Sequence, residues 1–86
     1  MPELCCFLGM IITMFYDDHA PTHFHGRYGE HKAIIAIDSL GLLEGCWSPR
    51  ALGLIAEWGV LHRDELRDDW VLAEQRAPLK KIKPLE

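Results

Sequence analysis

Trp47-Ser48-Pro49-Arg50-Ala51-Leu52-Gly53-Leu54-Ile55-Ala56-Glu57-Trp58 is where the chain changes its period, and the reading of this stretch decides the fold. Ser48 is a favoured N-cap residue, and Pro49 falls at the first helical position, where its missing N–H costs nothing. Between Ala51 and Leu61 the only polar side chain is Glu57. The helix expected over residues 49 to 62 is therefore apolar nearly all round. It must be covered on more than one side, by a sheet on one and by a second helix or another chain on the other. Residues 63 to 75 turn amphipathic, with Leu66, Trp70 and Ala73 spaced i, i+4, i+7 among charges, and predict a second helix or a kinked continuation.

Upstream of Trp47 the pattern is that of strands. Gly9-Met10-Ile11-Ile12-Thr13-Met14-Phe15-Tyr16 is β-branched and aromatic, with Met10, Ile12, Met14 and Tyr16 on one face and Ile11, Thr13 and Phe15 on the other. Apolar residues on both faces point to a central strand. The segment from Asp17 to Thr22, with its paired aspartates and Pro21, is turn chemistry, and a short strand follows over residues 23 to 28. Gly29-Glu30 turns the chain into a strand over 31 to 38, and a last strand over 42 to 47 follows the turn at Ser39 to Gly41. Pro78 and Pro84 bracket Leu79 to Lys83, an edge strand or extended tail. The expectation is a single α+β domain over residues 1 to 86. An antiparallel meander of three to four strands forms its first half, and one or two C-terminal helices pack on one face.

At 86 residues the chain buries only about 60% of its unfolded surface, so a partner subunit is one source of added stability. Cysteines do not supply it, because Cys5 and Cys6 are adjacent, Cys46 is the only distant one, and the pair lacks the CxxC spacing of zinc or redox sites. Cys5 and Cys6 read as small apolar strand residues, and a reduced, cytoplasmic setting fits them. No basic segment followed by an apolar run opens the chain, and no stretch approaches the roughly 20 apolar residues of a membrane span, so a soluble protein is expected. The net charge is −4, and residues 1 to 46 carry it all, with Arg27 and Lys32 against six carboxylates. Wholesale phosphate-backbone binding is disfavoured. Arg76, Lys80, Lys81 and Lys83 read as a solvated tail rather than a nucleic-acid contact.

Four of the five histidines fall within thirteen residues, at 19, 23, 25 and 31, beside Asp17, Asp18, Arg27, Tyr28 and Glu30. His23 and His25 are two apart, so on a strand they share a face. One reading is a metal site in which the turn brings His19 and Asp17 to His23 and His25; such nitrogen and oxygen ligands suit a divalent transition metal such as zinc. A second is general acid and base catalysis, with His23 and His25 exchanging protons and Arg27 or Tyr28 stabilising negative charge, as cleavage of an RNA phosphodiester requires. A third is a hydrogen-bonded hairpin with no chemistry, and a fourth a recognition surface. His62 reads as a helix-end dipole partner, Trp58 and Trp70 as packing, and Trp47 as closing the junction between sheet and helix.

The run Gly9, Met14-Phe15-Tyr16-Asp17-Asp18-His19, Pro21, His23-Phe24-His25, Tyr28-Gly29-Glu30 and Ile37-Asp38 resembles the signature of the bacterial domain of unknown function 4160 family. Agreement continues through Leu43-Glu44-Gly45, Arg50-Ala51-Leu52, Glu57-Trp58, Leu61-His62, Glu65-Leu66, Trp70 and the ending Leu79-Lys80-Lys81-Ile82-Lys83-Pro84-Leu85. The family's His19, His23, His25, Tyr28 and Glu30 are all present. Departures are Thr22 for a second proline, Asp69 for an asparagine before the tryptophan, the placement of Trp47-Ser48-Pro49, and the Cys5-Cys6 pair. What the resemblance implies is a small bacterial protein encoded beside a short domain of unknown function 2442 protein, in a pairing that looks like a toxin–antitoxin module. On that basis the expected function is a partner-binding component of such a module, its partner the neighbouring gene's product or a second copy. The alternative is a small metal-dependent hydrolase or ribonuclease centred on His19, His23 and His25.

Overall fold

The computed structural model describes residues 3–16 and 21–85. Strands β1 (Glu3–Phe7), β2 (Met10–Thr13), β3 (His23–Tyr28), β4 (His31–Ala36) and β5 (Leu42–Gly45) precede one helix, α1 (Pro49–Glu74). All neighbouring strands are antiparallel and follow chain order, giving a five-stranded meander with β1 and β5 at its edges. The fold is α+β as expected, with five strands where three to four were expected. Leu8 and Gly9, at φ of 49° and 83°, form a tight turn where a single strand from Gly9 was expected, and so free Glu3–Phe7 to pair with β2.

The alternation expected for β2 is the one observed. Met10, Ile12 and Met14 are buried toward the helix, while Ile11, Thr13 and Phe15 are half-buried on the opposite face. Ser48 caps α1 by accepting a hydrogen bond from the Ala51 amide at 3.2 Å. The two expected helical segments are one helix with a kink at His62, whose φ of −123° and ψ of 21° leave the helical region. The kink is held from outside: Arg63 donates to the Ile37 carbonyl at 3.3 Å, and Arg67 pairs with Asp38 at 2.8 Å. Leu40, at φ 60°, packs onto Gly59, where an added Cβ would stand 2.5 Å from its Cδ2.

Sheet cover accounts for one side of the helix, which buries Ala51, Ile55, Trp58, Leu66, Trp70 and Ala73. The opposite side, where a second cover was expected, exposes Val60, Leu61 and Val71. The tail after α1 is extended and pinned at three points, one on β1 and two on α1. Ile82 donates its amide to the Leu4 carbonyl at 2.9 Å, Trp58 Nε1 donates to the Lys83 carbonyl at 2.7 Å, and the Lys80 amide donates to Asp69 Oδ1 at 2.9 Å. All three cysteines are free thiols, and burial pushes the Cys5 thiol up from its ordinary range.

Asp69 is 1% exposed, and its Oδ2 has no hydrogen-bond partner among the described residues. Burial raises its carboxyl above the usual aspartate range; nearby Asp68 and Glu65 add to this, and the Lys80 amide and ammonium only partly oppose it. A carboxyl whose pKa rises on folding favours the protonated form, so the fold gains from Asp69 at low pH and loses that gain as pH rises through the folded pKa. Asp69→Asn keeps the acceptor for Lys80 without the charge. Thermal melts across pH are expected to show the variant more stable by roughly 1 kcal/mol near neutrality, with the gap closing toward about pH 4.

Candidate functional site

One face of the sheet carries α1 and, among the described residues, the other carries no helix; on that open face the cross-strand register assembles a groove of about 410 Å³. Two rows of side chains line it. Thr13, His25, Ile34 and Glu44 lie opposite one another across β2 to β5, and Ile11, Arg27 and Lys32 do so across β2 to β4. Phe15 closes one end, its ring meeting the His25 ring edge-on at 4.1 Å. The floor is apolar and half-buried at Ile11, Phe15 and Ile34, with the cations of Arg27 and Lys32 exposed above it.

β3 supplies the centre of this surface because of what occupies its other side. Gly26 lies between His25 and Arg27, and a Cβ there would stand 2.5 Å from the Trp47 ring. Trp47 lies under the sheet in the space a larger residue would take, and its Nε1 donates to the His31 carbonyl at 3.0 Å. This bond ties the β3–β4 hairpin to the start of the helix.

The sequence-predicted residues separate into three groups. His23 and His25 share a face, with ring centroids 5.2 Å apart. His23 is buried, 5.2 Å from the Trp70 ring that the kinked helix brings over the start of β3, and its Nδ1 is 2.7 Å from the Pro21 carbonyl. A carbonyl only accepts, so Nδ1 carries the proton and Nε2 holds the lone pair when the ring is neutral. Arg27 stands in the groove with His25, whereas Tyr28 projects to the helix side beside Gly9. Asp17, Asp18 and His19 lie outside the described residues. Among the described residues no group of three or more His, Cys, Asp or Glu side chains could hold a metal ion, and no helix is long and apolar enough to cross a membrane.

With this geometry in view, the family model described as Domain of unknown function (DUF4160) matches residues 9–71 of the 86. The chain belongs to this family. The matched span holds β2 to β5, the groove, and α1 as far as the turn after Trp70. Outside it lie β1 and the tail that covers β1. Comparisons with curated proteins and with solved structures found no match.

Sequence reasoning missed Thr13, Phe15, Lys32 and Glu44 as part of one surface with His25 and Arg27. The signal was present for Lys32: a two-residue turn at Gly29-Glu30 places Tyr28 opposite His31 and Arg27 opposite Lys32. Like charges directly opposite on a sheet repel, and among the described residues neither cation forms an ion pair. Lys32→Gln is expected to raise the stability of this DUF4160 chain by roughly 0.5 kcal/mol at low ionic strength. The gain should shrink in about 1 M salt, where the screening length falls to about 3 Å. Chemical denaturation at the two salt concentrations checks both.

Proposed function

We propose that this chain is the partner-binding component of a two-protein module of toxin–antitoxin type, and that it takes its partner at the outer edge of β5. The observation that carries the proposal is the unequal treatment of the two sheet edges. Along β1 the tail is fixed by the Ile82 amide, whereas among the described residues nothing pairs with the outer edge of β5. All four β5 residues are exposed, with Leu42 at 40% and Leu43 at 48%. An open edge presents unpaired N–H and C=O groups to any extended segment, and flanking side chains on alternate faces give such pairing its specificity. The family resemblance supports the same reading through the short gene that accompanies such proteins. Size-exclusion chromatography with light scattering is expected to show a defined complex when the purified chain meets the neighbouring gene's product. Leu43→Lys on the edge abolishes it. A monomer whose mass ignores that product overturns the proposal.

The second reading, a small metal-dependent hydrolase or ribonuclease, is favoured by the posture of His23. A backbone carbonyl fixing Nδ1–H is the arrangement that orients a histidine to ligate or to accept a proton through Nε2. Elemental analysis of untagged protein tests it. Stoichiometric zinc or another transition metal, lost in a folded double variant His23→Ala, His25→Ala, is the result expected of this reading. A metal-free protein whose double variant keeps any RNA-cleaving activity overturns it.

A further inference from the structure

The groove on the uncovered face holds a charge arrangement that the fold itself does not use. Arg27 and Lys32 face each other across β3 and β4, and both line the groove. Two other cations of the chain have work in the fold: Arg63 donates to the Ile37 carbonyl, and Arg67 pairs with Asp38 and Asp64. A chain with 13 acidic residues has counter-charges to spare. Yet the acid that lines the groove, Glu44, lies in the other row, opposite Ile34, and makes no ion pair among the described residues. Two unpaired cations held together on one face cost free energy until an anion arrives.

We propose that this groove binds an organic phosphate monoester, with the phosphate received by Arg27 and Lys32 and an aromatic or branched apolar body lying over Ile11, Phe15 and Ile34. Charge selects the head group. A phosphate monoester carries roughly −1.5 to −2 near neutral pH and offers three acceptor oxygens, which matches two cations better than a single carboxylate does. Arginine presents a planar fork suited to phosphate, and lysine a point charge beside it. Surface chemistry selects the body, because the half-buried floor gains from apolar cover and gains nothing from a bare ion. About 410 Å³ falls within the range of small-ligand clefts, which are mostly apolar with a few placed polar groups. A long polyanion such as RNA is a poorer match, since two cations on a chain of net charge −4 cannot neutralise many phosphates.

The inference goes beyond partner binding. It uses the sheet face rather than the outer edge of β5, so either can fail alone. Titration of the purified full-length chain with phenyl phosphate, followed by methyl NMR, is the test. Saturable shifts are expected at the methyls of Ile11 and Ile34, while those of Ile37 and Ile55, buried in the core, stay in place. Arg27→Gln and Lys32→Gln are each expected to weaken binding about tenfold, the usual loss for one charge-assisted hydrogen bond. Inorganic phosphate and benzyl alcohol, each carrying half of the ligand's chemistry, should bind more weakly than phenyl phosphate. Any of three results overturns the proposal: no shift at millimolar phenyl phosphate, shifts undiminished in both variants, or phenylacetate binding as tightly as phenyl phosphate.

Discussion

Trp58 is the contact on which the rest of the structure depends. Its ring is fully buried, with centroids 5.7 Å from Phe7 on β1, 5.9 Å from Phe24 on β3 and 5.5 Å from His62 at the helix kink. Its indole N–H reaches the Lys83 carbonyl. One side chain thus joins the sheet edge, the sheet centre, both halves of the helix and the tail. A small domain has few such anchors, and an indole supplies a large apolar area with a single donor that must be satisfied. The tail satisfies it. Tail docking and helix docking are therefore coupled, and the residue before Lys83 pairs with the β1 edge through the Ile82 amide and the Leu4 carbonyl.

That coupling determines what is left open. A single helix with a tail behind it can cover one face and one edge of a five-stranded sheet, and among the described residues the second face and the β5 edge remain open. The uncovered face is neither a second core nor an ordinary polar surface. Its half-buried Ile11, Phe15 and Ile34 are spaced by Thr13, His25, Arg27 and Lys32, so apolar floor and charge alternate along the strands. Antiparallel sheets tolerate one solvated face, and the usual result is a polar one. Here the apolar content of that face exceeds what solvent exposure favours, and its two cations oppose each other. Both departures concern the same groove, which is why they are better explained together than apart.

Much of the fold was legible in the sequence because local signals agreed with one another. Ser48-Pro49 started the helix where the structure starts it, and the alternation in Met10 to Phe15 assigned both faces of β2. Cys5 and Cys6 read as strand residues, but the bounds of β1 were not legible, because Leu8 adopts a positive φ without being glycine and Gly9 reads as the start of the next strand. The kink at His62 was open between two helices and one, and what settles it is remote: Arg63 and Arg67 reaching the loop at Ile37 and Asp38, with Leu40 set against Gly59. At the site, His23 and His25 on one face followed from strand periodicity alone. The placement of Arg27 and Tyr28 on opposite faces followed equally, though composition had grouped them. Burial of His23 under Trp70 did not follow, since it depends on the direction α1 takes after its kink.

This last contact ties His23 to the helix rather than to the groove. His25 meets Phe15 at the groove wall, whereas His23 is enclosed by Trp70 and fixed by the Pro21 carbonyl. Two imidazoles 5.2 Å apart therefore stand in different surroundings, one beside an open apolar surface and one inside a ring contact. Whatever moves the second half of α1 moves the cover over His23. The Arg67–Asp38 pair and the Lys80 bond to Asp69 restrain that half from opposite sides, one at the loop after β4 and one at the tail. Asp69 lies next to Trp70 on the same half of α1, and burial disfavours its ionisation. The cover over one histidine thus depends on the course of α1 after its kink, while the groove beside the other lies on the sheet.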